Sequence, residues 1–179
     1  MGEERDETLA MRAARGCRAS FALLLERHYD HVHRLAWRWT GSSGAAEDIA
    51  QDVVLKLARA IRSFRGEAAF ATWLHRIVYT TTVDFLRANQ RMLAVESSEL
   101  VSLIDGKSQT SHGADEANDD LWSAVRSLPE KQRDAVLLVY GEDMTHAEAA
   151  ELMGCSENTV SWHVHEARKR LKILLEAVG

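Results

Sequence analysis

The fold of the C-terminal end is decided by one stretch, THAEAAELMGCSENTVSWHVH, at residues 145–165. Ala150 is small enough for a close crossing of two helices, and Gly154 can adopt the left-handed turn that ends a helix at low cost. Val160 follows six residues later, where a β-branched side chain fills the angle between the helices. A small residue, a glycine and a β-branched residue at these offsets predict a helix-turn-helix motif.

Capping residues on both sides of the predicted turn support this motif. Thr145 and Glu148 form a capping-box pattern, which predicts a short helix up to Met153. Ser156 can cap a final helix that runs to about Ala177. The residues predicted to face outward on the final helix are Asn158, Ser161, Trp162, His165 and Lys169, and a basic cluster near its end comprises Arg168, Lys169, Arg170 and Lys172. Such a face suits the major groove and the phosphates of DNA. A basic cluster also complements the helix dipole, so a helical hairpin without a DNA role is the alternative.

The rest of the chain also has the pattern of helices. Ten glycines and one proline among 179 residues leave long segments in which apolar residues recur at three- and four-residue steps. Helices are predicted from a cap at Ser20 to a glycine-rich stop at residues 41–44, over about 45–61 and 68–90, from about Leu121, and from Pro129 to about Val139. Residues 78–83, VYTTTV, favour a strand by themselves, but the helical spacing on both sides predicts a helix.

Composition and charge divide the chain into two domains. Hydrophobic residues make up 46% and charged residues 27%, as in an ordinary folded protein. Residues 94–120 hold seven acidic side chains and one basic side chain, which predicts a flexible acidic linker. The predicted fold is all-α, with small helical domains at residues 1–93 and 121–179. The net charge of −5 argues against indiscriminate binding of nucleic acid, but a local basic helix can still bind DNA.

The sequence argues against a membrane or secreted protein. The longest uncharged apolar run, residues 135–141, has seven residues, whereas a membrane helix needs about 20. Residues 3–7 are too charged for a signal peptide. Cys17 and Cys155 form no spaced pair, which favours buried thiols in a reducing cytoplasm over disulfides.

Neither a metal centre nor an enzyme is predicted. His28, His31 and His33 lie on one helix, but residues at i and i+2 face apart, so the three cannot share a metal ion. A serine nucleophile elbow and a phosphate-binding glycine loop do not occur in the sequence, and no cofactor is expected.

Two polar helix faces in the first domain are candidate binding sites. The second predicted helix carries Asp48, Gln51, Asp52 and Lys56, although an ordinary i,i+4 ion pair on a solvated face would also explain them. The third carries Trp73, Arg76, Thr80, Asp84 and Arg87 at steps of three and four residues. An aromatic ring among cations suits single-stranded DNA. A single tryptophan at helical spacing is also a common core residue, and that alternative stays open.

The ordered set of motifs resembles a known family. In the first domain, DIAQD at 48–52, FRGE at 64–67, FATWLHRI at 70–77 and DFLR at 84–87 resemble region 2 of bacterial extracytoplasmic-function (ECF) sigma factors, of the sigma-70 type. In the second domain, LPEKQR at 128–133 and TVSW at 159–162, with Ala167-Arg168, resemble region 4. The linker is too short for the middle domain of primary sigma factors.

The resemblance implies a role in transcription initiation. It implies that core RNA polymerase is bound through its clamp helices by Asp48, Gln51, Asp52 and Lys56. It implies that the minus-ten promoter element is opened and read by Phe64, Arg65, Phe70, Trp73, Arg76, Thr80, Asp84 and Arg87. The minus-thirty-five element would be read by Thr145, His146, Ala150, Gly154, Asn158, Thr159, Val160, Ser161, Trp162, His165, Arg168 and Lys169. An anti-sigma factor is an expected partner, with release in response to a stress signal.

Two other classes of protein compete with this interpretation. A free-standing helix-turn-helix regulator with a helical sensor domain would explain residues 145–172 but not the ordered motifs of the first domain. A protein-binding adaptor would make the basic cluster and the helix-turn-helix coincidental.

Overall fold

The computed structural model describes residues 4–99 and 119–178, and those residues form helices and connecting turns without a strand. This confirms the all-α prediction. Contacts divide the chain into two units, one of Met1–Trp37 with Gly44–Ser108 and one of Arg38–Ser43 with Gln109–Gly179. Within the described ranges, no helix has both the length and the apolar character that crossing a membrane requires.

The first unit is built from four helices, two of which have residues in the second unit: 38–40 at the end of the second helix and Ser43 at the start of the third. They are α1 (Asp6–Ala14), α2 (Arg18–Thr40), α3 (Ser43–Ala60), which continues into a 3-10 turn (Ile61–Ser63), and α4 (Phe70–Glu99). Leu24 of α2, Ile49 of α3 and Leu74 of α4 are almost completely buried. Residues 78–83 are helical, as predicted. Most of their β-branched side chains are buried, so packing outweighs the local preference for a strand.

One helix and two helix boundaries in the first unit differ from the predictions. Helix α1 was not predicted at all. Ser20 does not cap α2, because the helix begins at Arg18 and the Ser20 hydroxyl donates to Cys17 Sγ at 3.2 Å from inside the first turn. Helix α4 runs to Glu99 and so includes the first six residues of the predicted linker 94–120. The linker residues 100–118 lie outside the described residues.

The second unit also contains four helices. They are α5 (Asp119–Arg126), α6 (Glu130–Val136), which continues as a π-helical turn (Leu137–Gly141), α7 (His146–Met153) and α8 (Glu157–Val178). Helix α8 packs against α5, α6 and α7. Pro129 occupies the N-cap position of α6, directly before the first turn in which it was predicted. Val125, Leu137 and Val160 are almost completely buried in the core of this unit.

Candidate nucleic-acid and polymerase interfaces

The start of α7 and the turn between α7 and α8 have the geometry that the sequence predicted. Thr145 N–H donates to Glu148 Oε2 at 2.8 Å and Glu148 N–H donates to Thr145 Oγ1 at 3.2 Å, which completes the capping box. Gly154 is left-handed, with φ 65° and ψ 39°. Cys155 N–H donates to the Ala150 carbonyl at 3.1 Å and closes the end of α7. These contacts confirm a helix-turn-helix.

The crossing of α7 and α8 is filled by small and β-branched side chains. Ala150 is 5% exposed, and Val160 and Ala167 are fully buried. Ser156 Oγ accepts the Thr159 N–H at 3.1 Å and so caps α8 as predicted. Ala150 and Val160 therefore set the angle between the helices, and their side chains are not available to DNA.

The outward face of α8 combines an aromatic ring with polar groups. Trp162 is 56% exposed, and its ring meets the His163 ring edge-on with centroids 5.0 Å apart. Burial and the nearby Lys131 lower the pKa of His163, which keeps that imidazole neutral at pH 7. Asn158, His165 and Arg168 are also exposed. This face can contact base edges and thymine methyl groups in a major groove.

Two pairs on the helix-turn-helix limit what its polar groups can bind. His146 Nδ1 lies 2.7 Å from Ser161 Oγ, so two residues predicted to contact DNA contact each other and join α7 to α8. Lys169 Nζ donates to Glu166 Oε1 at 3.0 Å. That hydrogen bond is the main reason why the pKa of Glu166 lies below its ordinary value. A phosphate that bound Lys169 would have to replace this carboxylate.

Helix α3 separates a buried face from a polar one. Ala46, Ile49, Ala50, Val53 and Leu57 are buried. The predicted polymerase-binding residues Asp48, Gln51, Asp52 and Lys56 are all exposed. Gln51 Nε2 donates to Glu47 Oε1 at 3.1 Å, which orients the Gln51 amide.

Leu55 belongs to the exposed face of α3 and was missed by the sequence analysis. It is 56% exposed, three residues after Asp52 and four after Gln51. The sequence could have indicated this exposure, since Leu55 lies outside the helical spacing of the buried residues of α3. An apolar side chain surrounded by polar ones is typical of the centre of a protein–protein interface.

An aromatic cluster holds the loop between α3 and α4. The ring centroids are 5.3 Å apart for Phe64 and Trp73, 5.9 Å for Phe64 and Phe70, and 6.0 Å for Phe70 and Trp73. Phe64 is 6% exposed and Phe70 is fully buried, so the predicted DNA contact by these two rings does not fit the structure. They support the loop instead. Trp73 is half-buried and Arg65 is exposed.

The predicted DNA-binding face of α4 continues beyond Trp73. Arg76, Thr80, Asp84 and Arg87 are exposed at steps of four, four and three residues, and so share one side of the helix. The Thr80 hydroxyl donates to the Arg76 carbonyl at 2.9 Å. Thr80 therefore bonds to its own helix, which leaves the two arginines and Trp73 as the stronger candidates for contact with DNA.

The unpredicted helix α1 is fastened to α2 by a carboxylate. Asp6 accepts hydrogen bonds from Arg27 Nη1 and pairs with His28 Nε2, both at 2.7 Å. Burial raises the pKa of Asp6, but the hydrogen bonds and charges of these two partners lower it more, so its pKa lies below the ordinary value of 3.8. At the start of α4, Phe70 N–H donates to Glu7 Oε1 at 3.3 Å.

The histidines of α2 have different neighbours. His28 pairs with Asp6, the Nε2 atoms of His31 and His75 lie 3.2 Å apart, and His33 Nε2 lies 3.8 Å from Glu47 Oε2. The three side chains predicted to face apart therefore contact three separate partners.

Family models match both units. Residues 24–92 match the model described as Sigma-70 region 2, and residues 118–171 match the model described as Sigma-70, region 4. The first match includes α3 and the aromatic cluster and excludes α1. The second includes α7, the turn and α8 up to Leu171.

Curated relatives cover nearly the whole chain. The ECF RNA polymerase sigma factor SigM of Mycobacterium tuberculosis (strain ATCC 25618 / H37Rv) is 33% identical over 173 residues, which span 97% of this chain and 86% of the relative. The ECF RNA polymerase sigma-E factor of Escherichia coli (strain K12) is 31% identical over 179 residues, which span 93% of this chain and 92% of the relative.

Solved structures share the fold. CnrH, in complex with the cytosolic domain of CnrY, has a TM-score of 0.71 at 24% identity and covers 98% of this chain and 100% of its own. The sigma factor RpoE of Bartonella quintana, in complex with the anti-sigma factor NepR, has a TM-score of 0.69 at 23% identity, with 87% and 96% covered. With both regions matched in order and relatives above 30% identity along the chain, this protein belongs to the ECF RNA polymerase sigma factors.

Proposed function

We propose that this sigma factor binds core RNA polymerase through the exposed face of α3. Asp48, Gln51, Asp52 and Lys56 supply charge and hydrogen bonds, and Leu55 supplies an apolar centre. The observation that supports this assignment is the division of α3 into a fully buried stripe and an exposed mixed face.

The minus-ten element is the proposed ligand of the 64–70 loop and α4. Trp73 is half-buried, with its ring edge-on to Phe64 and tilted against Phe70, so its exposed part can stack on an unpaired base. Arg76 and Arg87 lie along the same side of α4, where they can follow the phosphates of the opened strand. Phe64 and Phe70 contribute by fixing the position of that ring.

The minus-thirty-five element is the proposed ligand of α8. Asn158, Trp162 and His165 would contact bases, and Arg168 and Lys169 would contact phosphates. The second unit is modest as a DNA binder, because Lys169 and Lys172 are each near a glutamate of the same helix. Attachment to polymerase would raise its local concentration to the millimolar range, of the order reached with short flexible linkers.

An anti-sigma factor is the proposed inhibitor of these surfaces. The support comes from the similar fold of Bartonella quintana RpoE, which was solved with NepR. We place the protein in the cytoplasm, where polymerase and promoter DNA are found, and assign it no catalytic step of its own.

Promoter-specific transcription is the test of this function. The purified protein is added to sigma-free core polymerase with a library of genomic fragments, and the transcripts are sequenced from their 5′ ends. We expect discrete start sites preceded by two sequence elements at a fixed spacing. Random initiation, or promoter binding without core polymerase at nanomolar affinity, would instead support a free-standing regulator.

Charge reversal at Asp52 tests the docking face separately. An Asp52→Arg variant should lose core affinity by tenfold or more, because like charges across an interface cost several kcal/mol. Asp30→Arg, an equal change at an exposed position of α2, is the control and should bind core normally. Unchanged core affinity in Asp52→Arg would show that α3 is not the docking face.

A further inference from the structure

We infer that α1 positions the promoter-opening loop, with Glu7 acting as the positioning residue that caps α4 from outside the helix. This inference rests on the proposed function of the 64–70 loop. It goes beyond the match to Sigma-70 region 2, which begins at residue 24 and so does not include α1.

The first support is the cap itself. Phe70 is the first residue of α4, and its N–H is among the donors at a helix start that have no partner within the helix. Glu7 Oε1 accepts it at 3.3 Å. The first turn of α4 contains no acidic residue, so Glu7 brings to this end the negative charge that a helix N-terminus favours.

The second support is the close approach of α1 to the loop. Gly66 is left-handed, with φ 72°, and a Cβ atom at this position would lie 3.2 Å from Met11 Sδ. Helix α1 also packs against the 3-10 turn at Ile61–Ser63 and against α4. It therefore contacts the chain before the loop, within it and after it.

The third support is that α1 is itself firmly held. Leu9 and Ala10 are almost completely buried on one side of the helix. Arg27 of α2 also donates both to Asp6 Oδ1 and to the Glu4 carbonyl at 2.7 Å. A helix fastened in this way can fix the position of what it contacts.

The contacts form a continuous path to the proposed DNA-binding ring. Asp6 pairs with His28, whose ring lies 5.3 Å from that of Phe70, and Phe70 lies 6.0 Å from Trp73. Glu7 reaches the backbone of the same Phe70. Disturbing α1 should therefore shift Trp73 and the loop while leaving the exposed face of α3 and the helix-turn-helix unchanged.

The experiment compares Glu7→Ala with Glu7→Gln and a control. Each variant is assembled as the full chain with core polymerase on a promoter found by the transcription assay. Opening of the duplex promoter is followed by permanganate reactivity, and transcripts are counted on a matching template already unpaired over the minus-ten element. Glu26→Ala removes an exposed glutamate from α2 and is the matched control.

We expect Glu7→Ala to open the duplex about fivefold more slowly, in line with the loss of a helix cap. Its activity on the unpaired template and its affinity for core should stay within twofold of the wild type. Glu7→Gln should recover most of the rate, because the amide oxygen can still accept the Phe70 N–H. Glu26→Ala should behave as the wild type.

Two results would overturn the inference. One is an unchanged opening rate in Glu7→Ala, and the other is an equal loss on both templates, which would indicate general damage to the fold. Failure of the wild type to give promoter-specific transcripts would instead contradict the proposed function. The transcripts of the wild type therefore distinguish a failure of this inference from a failure of the proposed function.

Discussion

The N–H groups at the start of a helix need hydrogen-bond acceptors from outside the helix ladder, and the helix-turn-helix and α4 obtain these acceptors from different distances along the chain. In the helix-turn-helix, each cap comes from a residue three positions away: Glu148 accepts the Thr145 N–H, and Ser156 accepts the Thr159 N–H. At the start of α4, the carboxylate that accepts the first N–H lies 63 residues earlier, in α1. The caps of the helix-turn-helix therefore come from neighbouring residues, whereas the cap of α4 depends on the distant helix α1 being in place. A substitution that removes a cap should therefore affect only nearby residues in the second unit, whereas in the first unit it should also affect residues far along the chain.

The strongest test of this contrast is Leu9→Ala. Leu9 is 1% exposed, and truncating a buried leucine costs about 2–5 kcal/mol. Hydrogen exchange should show loss of protection in α1 and at the start of α4, while residues 145–165 keep theirs. Thr8→Ala, at an exposed position of α1, is the control. Uniform loss of protection along the chain would mean that the two units do not respond separately.

A smaller effect is expected from Gly154→Ala in the turn between α7 and α8. An added Cβ would meet nothing within 4 Å, so the cost arises from the left-handed backbone alone and should be about 1–2 kcal/mol. Gly154→Asn should cost less, because asparagine tolerates this conformation better. Thermal unfolding of the second unit measures both. If the two variants unfold alike, backbone conformation is not what requires glycine here.

Removal of a local cap should lower the free energy of unfolding by less again. Thr145→Ala eliminates the hydroxyl that accepts the Glu148 N–H, with an expected loss of about 1 kcal/mol. Exchange should rise in the first turn of α7 and nowhere in the first unit. Thr145→Ser retains the hydroxyl and should restore protection. Increased exchange in α4 would contradict the separation between local and distant caps.

The smallest effect is expected from acid, through Asp6 of α1. The pKa of Asp6 is lower in the folded protein than its ordinary value of 3.8, because its hydrogen bonds and charge pairing with Arg27 and His28 outweigh burial. A lowered folded-state pKa adds stability above pH 3.8, and this is lost as the pH falls through the folded value. Protection of α1 should therefore decline below about pH 4. In Asp6→Asn, that decline should disappear.

The contrast also explains what could be predicted from the sequence. The helix-turn-helix was predicted residue by residue, because Thr145, Gly154 and Ser156 act on neighbours in the sequence. Helix α1 was missed because its stability comes from Arg27, His28 and Phe70, which no local pattern connects to it. The same limit applies to Phe64 and Phe70, whose motif was recognised but whose burial depends on packing between distant segments. Leu55 could have been found, since it departs from the spacing of the buried stripe.

The separation between Glu7 and Phe70 also has a consequence for the order of folding. Helix α1 has nine residues, and isolated helices shorter than about 12–15 residues are marginal in water. Synthesis proceeds from the N-terminus, so α1 emerges from the ribosome before α4, and the residue that it caps is made 63 positions later. Closing so long a loop carries an entropic cost before any contact compensates for it. Helix α1 is thus made before α4 but should be among the last to dock, and the promoter-opening loop should reach its final geometry only at that late step.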